Sequence, residues 1–115
     1  MARRDPTVSL RQMFDYASKA GRLAQGKRRE EIEQDEILLL ALTRLLEILG
    51  EAASRVPADV RSRHAKIPWS SIVGLRNVLI HGYDHLDMDI LWRVLSTDVP
   101  ELIPRLQEMV KTETP

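Results

Sequence analysis

The stretch DEILLLALTRLLEILGEAASR, residues 35–55, decides the fold. Its apolar residues recur three and four apart: Ile37, Leu38, Ala41, Leu45, Ile48, Leu49 and Ala52 form one helical stripe, widened by Leu39, Leu42 and Leu46. That arc is broader than the roughly 100° a surface helix needs, which predicts a helix central in a bundle or covered by another chain. Leaving Leu39, Leu42 or Leu46 in water would forgo about 1.5–3 kcal/mol each.

Other helices follow on both sides. Leu10, Phe14, Ala17 and Gly21 share helical spacing through about Gln25, with Thr7 or Ser9 as the N-cap. The charge run GKRREEIEQDE, 26–36, reads as a solvated turn that places carboxylates at the positive end of the next helix. Beyond Pro57, PADVRSRHAKIP predicts a short helix and a loop, and WSSIVGLRNVLIHG, 69–82, a third substantial helix ending at Gly82. YDHLD is a turn in which Asp87, or Asp89 just beyond it, can cap a helix containing Ile90, Leu91, Trp92, Val94 and Leu95. A last helix runs from Thr97 or Asp98 to Lys111, carrying Leu102, Ile103, Leu106 and Val110. No segment alternates with a period of two, so the expected fold is all-α, an up-and-down bundle with short additional helices in a single domain spanning 1–115.

Composition narrows the chemistry. The chain has no cysteine, which removes thiol nucleophiles, thiolate zinc sites and disulfides. Its net charge is zero, so any contact with a polyanion must come from a local cluster of cations. The start lacks the apolar core of a signal peptide and the longest greasy run, Ile37 to Leu42, is far too short to span a bilayer; a soluble, cytoplasmic protein is expected.

The polar residues of RNVLIHGY, 76–83, interrupt an apolar context. With about 100° per residue, Ile72, Val73, Leu79 and Ile80 fall within roughly 60° of Arg76, whereas Asn77 and His81 lie on another strip beside Gly74. A buried, unpaired guanidinium would cost several kcal/mol (roughly), so Arg76 must meet a carboxylate, reach a cleft or face a second subunit. Arg76 and His81 are about 140° apart on a regular helix and converge only if the helix end unwinds, the arginine curls round, or another chain supplies one of them.

Chemically, a guanidinium, an imidazole and a phenol together can hold a phosphate and move a proton. The plainer reading is also open: His81 as a helix cap and Arg76 paired with a carboxylate such as Glu51, in a purely structural adaptor. His64, His85, Asp84, Asp87 and Asp89 fit caps and turns better than a metal site, and no metal or other cofactor is expected. Trp69 and Trp92 read first as packing anchors, with base stacking as the functional alternative.

In Arg76, His81 and Tyr83 the chain resembles the HepT-like branch of the HEPN proteins, whose pattern is R-x4-H-x-Y. ILGEAA at 48–53, IPWSSIVGLRN at 67–77 and ILWRVLSTDVPEL at 90–102 extend the resemblance over about two thirds of the chain. It implies a HEPN-like bundle and the toxin of a prokaryotic toxin–antitoxin pair, a metal-independent endoribonuclease acting as a homodimer. The implied antitoxin is an MntA-type nucleotidyltransferase that adenylylates the motif tyrosine, here Tyr83. Arg76 and His81 are then the expected catalytic residues, Asn77 a supporting one, and Arg61, Arg63 and Lys66 a local patch for RNA. The rival from another class is a non-catalytic module of the same type that binds a nucleotidyltransferase or a nucleotide.

Overall fold

In a computed structural model, residues 5–81 and 85–115 are described, with His81 as backbone only. The first helix, α1, spans Pro6–Ala24. Its N-cap is Asp5, not Thr7 or Ser9: the carboxylate accepts from the Thr7 N–H at 2.9 Å and the Thr7 hydroxyl at 2.8 Å, and Pro6 fills the first position, where no N–H is needed. The charge run is not merely a turn. Arg29–Gln34 forms a short helix, α2, that buries Ile32 completely. One apolar side chain in that run has no periodicity to reveal a helix; its contact with the core supplies the order.

The central helix, α3, spans Glu36–Ser54 and is capped by Asp35, whose carboxylate accepts from the Leu38 N–H at 3.0 Å. Its most buried line is Leu42, Leu46, Leu49 and Ala53, with Gly50 and Ala52 beside it. The predicted stripe is thus rotated toward Leu42 and Leu46: Ile37 is 82% exposed, and Leu38, Ala41, Leu45 and Ile48 are only partly buried, while Leu40, outside that stripe, is 64% exposed. A segment apolar on almost every side cannot set its own phase, and packing against α1 chooses the buried face.

Next come α4, Ala58–Arg63, and α5, Trp69–Val73. The long helix expected over 69–82 is broken in two. Gly74 carries the break, α6 runs only from Leu75 to Leu79, and Ile80 is already extended at φ −116°, ψ 117°. Ile80 and His81 form β1, paired antiparallel with His85 and Leu86 of β2 in the register Ile80↔Leu86 and His81↔His85. The Leu79 carbonyl, which a continuing helix would have bonded to residue 83, instead accepts from the Asp87 N–H at 2.7 Å.

As expected, Asp87 caps the following helix, α7, Met88–Arg93, by accepting from the Ile90 N–H at 3.1 Å. The next two predicted helices are continuous: Val94–Asp98 is a π-helical turn, closed by Val99 N–H to Val94 O, that leads into α8, Val99–Glu113. The extra residue sits just before Pro100, which has no N–H to offer an α-helical ladder.

The molecule is an all-α bundle with a two-residue ladder at one end. α1 packs against both α3 and α8, joining Leu10, Met13 and Ala17 to Leu42, Leu46, Leu106 and Met109 in one core. Among the described residues no helix is long and apolar enough to cross a membrane.

Two contacts lock the end of the fold that carries α4. Arg61 donates from Nε to Val56 O at 2.9 Å and from Nη2 to Ala53 O at 3.0 Å, capping the last turn of α3, with its guanidinium 5.6 Å from the Trp69 ring centroid. Glu113 of α8 accepts from Arg63 Nη2 at 2.7 Å and lies 2.8 Å from His64 Nε2. Hydrogen bonds from Arg63, then His64, hold its carboxyl down at about 2, below the ordinary 4.5.

Two predictions follow from this packing. A Cβ on Gly50 would stand 2.8 Å from the backbone oxygen of Ile72, so Gly50→Ala should destabilise the fold by about 1–3 kcal/mol, read as a lower melting temperature. Because the Glu113 carboxyl is depressed, its contribution is complete above pH 4.5 and is lost as pH falls toward about 2. Glu113→Gln should therefore melt several degrees below the parent at pH 7, and the gap should close across that acid window.

Candidate active site

Arg76 lies on the outer side of α6, one residue beyond Leu75 and three before Leu79, the pair that α6 buries. The apolar arc assigned to Arg76 by an unbroken helix does not exist. Val73 and Val78 are 37% and 41% exposed, and the break at Gly74 resets the phase. The guanidinium is 73% exposed, with its Nε 3.8 Å from Oε2 of Glu47.

That carboxylate is shared. Arg44 Nη1 is also 3.8 Å from Glu47 Oε2 and reaches Glu51 Oε1 at 3.4 Å. Glu47 itself is only 17% exposed, so it sits at the foot of a small cluster with Arg44 and Arg76 above it. The carboxylate beside Arg76 is thus Glu47, and Glu51, the partner suggested by sequence, is bound to Arg44. An arginine this exposed is not sealed in the core. Among the described residues its contact with Glu47 is a loose ion pair, made through Nε.

Asn77 is exposed on the same short helix, its N–H bonded to Gly74 O at 3.0 Å. The His81 backbone lies in β1, two residues past the helix end, so the 140° separation calculated for a regular helix no longer applies. Tyr83 falls outside the described residues, as does Asp84. Of the proposed RNA patch, Arg61 is occupied in capping α3 and Arg63 in binding Glu113, whereas Lys66 is exposed and its carbonyl accepts from Arg105 Nη1 at 3.1 Å. The structural roles of Arg61 and Arg63 were not legible in a cationic run, because the acceptors of Arg61 are backbone carbonyls, which every residue has, and the partner of Arg63 is 50 residues away.

Among the described residues no three His, Asp or Glu side chains gather as a metal site. His64 is bound to Glu113, Asp87 caps α7, and Asp89 is paired with Arg29 of α2. The Trp69 indole donates to His64 O at 3.1 Å and is 9% exposed, the packing anchor it was expected to be.

An exposed arginine in so loose a pair should carry little of the stability. Arg76→Ala is expected to shift the unfolding free energy by no more than about 0.5 kcal/mol, measured by denaturant titration. A larger loss would mean that Arg76 belongs to the scaffold.

The profile of the family described as "Ribonuclease HepT-like" matches residues 13–109, a span that holds α3, α6 and the whole of 76–83. The chain is 37% identical over 84 residues to a "Putative RNase" of Caldanaerobacter subterraneus subsp. tengcongensis, covering 73% of this chain and 75% of that one. To a "Putative RNase" of Methanocaldococcus jannaschii it is 32% identical over 102 residues, covering 89% and 94%. To the "Probable ribonuclease HepT" of Thermococcus cleftensis it is 34% identical over 82 residues, covering 71% and 74%. No solved structure matches the chain significantly. With the profile spanning nearly the whole bundle and the motif helix inside it, the chain belongs to the HepT-like ribonuclease family.

Proposed function

We propose that this HepT-like ribonuclease cleaves RNA by attack of a ribose 2′-oxygen on its own 3′-phosphate, and that it is the toxin of a toxin–antitoxin pair. The observation that carries the reading is the exposed Arg76 guanidinium on the short helix that stops just before His81. His81 takes the proton from the 2′-hydroxyl or gives one to the departing 5′-oxygen, since imidazole is the motif group that titrates near neutrality. The 2′-oxygen bonds to phosphorus, the bond to the 5′-oxygen breaks, and the products are a 2′,3′-cyclic phosphate and a 5′-hydroxyl. Arg76 holds the phosphate and offsets the charge that grows on its oxygens. Glu47 keeps that guanidinium in place until an RNA phosphate replaces the loose pair. Asn77 orients the imidazole or the substrate.

The resemblance implies a metal-independent reaction in a homodimer, and the exposed side of α3 supports the dimer. Ile37, Leu40, Arg44, Glu47 and Glu51 lie three or four apart on one outward face, apolar at its start and charged at its end. Pairing two copies through Ile37 and Leu40 would cover those side chains and bring the two Arg76 clusters, which border the same face, into one cleft. Adenylylation of Tyr83 by an MntA-type nucleotidyltransferase would add a negative phosphate and a bulky nucleoside within the motif, competing with RNA for Arg76. Lys66 supplies charge for the RNA backbone; Arg61 and Arg63 contribute their residual field while tied to carbonyls and to Glu113.

Two measurements test this. His81→Ala should lower cleavage of single-stranded RNA by at least about 100-fold while the circular dichroism melt stays unchanged; an unimpaired variant overturns the catalytic assignment. Ile37→Glu with Leu40→Glu should convert a dimer to a folded monomer in light scattering and abolish cleavage, whereas a parent that is itself monomeric and active overturns the shared cleft.

A further inference from the structure

A cavity of about 580 Å³ lies between the end of α1, the turn at 25–27 and the π-helical turn before α8. It contains none of the 76–83 motif residues and none of the carboxylates. Arg22 and Lys27 line it, and among the described residues neither is paired in a salt bridge. Trp92 lines it too, half-buried and packed on the core through part of its indole. So does Ser18, whose Oγ is buried without a hydrogen-bond partner.

The backbone adds acceptors. Pro100 lines the cavity with Leu95 and Ser96. In an α register Pro100 would donate to Ser96 O, and in the register shown by Val99 N–H to Val94 O it would donate to Leu95 O. Having no N–H, it donates to neither. The C-terminal end of α1 also lies here, where Ala24 O accepts from the Lys27 N–H at 3.1 Å and Gly26 turns the chain at φ 74°. A negative helix end does not attract an anion on its own. It suits a ligand that has N–H donors for the carbonyls and an anionic group for the two exposed cations, Arg22 in the last turn of α1 and Lys27 just beyond it.

We propose that this cavity binds one nucleotide unit, with an amino-bearing base against Trp92 and the carbonyls, and its phosphate against Arg22 and Lys27. The volume lies within the range of small-ligand sites, about 300–1,000 Å³. Indole stacking and charge-assisted bonds from a guanidinium and an ammonium are the usual means of holding a base and its phosphate. The nucleotide is either free in solution or part of a single RNA strand, and the site does not depend on the cleavage reading because it shares no residue with the motif.

Calorimetric titration of the full chain with AMP, with a 2′-O-methylated single-stranded oligoribonucleotide and with inorganic phosphate separates these cases. AMP binding identifies a free-nucleotide site; binding of the oligonucleotide alone, when it is weakened by charge reversal at Arg22 and Lys27, identifies a strand site. In either case Arg22→Glu with Lys27→Glu should weaken binding about tenfold or more, and the Trp69→Phe variant should show quenching of Trp92 fluorescence. Binding of neither nucleotide, equal affinity for inorganic phosphate, or affinity undiminished by the charge reversal overturns the proposal.

Discussion

The carbonyl oxygen of Ile72 lies where a side chain on residue 50 would stand, 2.8 Å from the position of a Cβ. Because residue 50 is glycine, the backbone of α5 can rest directly against α3. Everything specific about the site follows from that approach. Glu47 is one turn before Gly50 on α3, and Arg76 is one turn after Ile72 through the break at Gly74, so close contact of the two backbones brings this carboxylate and this guanidinium to 3.8 Å. A bulkier residue at 50 would push α5 outward and carry α6 with it.

The second constraint is where α6 stops. Had the helix continued, Leu79 O would have bonded to the N–H four residues on, and His81 would have been fixed on a face remote from Arg76. The Asp87 N–H takes that carbonyl instead, at 2.7 Å, and the ladder Ile80↔Leu86 turns the chain back on itself. The same Asp87 caps α7 with its carboxylate, so one residue ends one helix's claim on the chain and begins another. Arg76 and Asn77 accordingly lie on the short helix, and the His81 backbone on the ladder that follows it. A junction between elements on a rigid scaffold is a usual place for groups that must meet a ligand.

Much of the architecture was legible from periodicity. The helices α1, α3 and α8, the cap at Asp87 and the anchor role of Trp69 all follow from spacing and residue type. What failed did so for particular reasons. α2 has a single buried side chain, Ile32, and so shows no pattern. α3 is apolar on nearly every side, and its phase came out rotated, leaving Ile37 of the expected stripe exposed. Arg61 and Arg63 look like a cationic patch in one dimension, yet their acceptors are Ala53 O and Val56 O before them and Glu113 at the far end of the chain.

The sequence by itself determined the helical class and the central place of residues 35–55, and it singled out Arg76, Asn77, His81 and Tyr83 as candidates, because hydrophobic period and residue chemistry are local properties of the chain. Only the tertiary structure decided that Arg76 is exposed beside Glu47, that the helix under it ends at Leu79, and which face of α3 is left uncovered. Those outcomes rest on contacts between residues far apart in sequence, Gly50 against Ile72, α1 against α3 and Leu79 against Asp87, whose energies no local pattern contains.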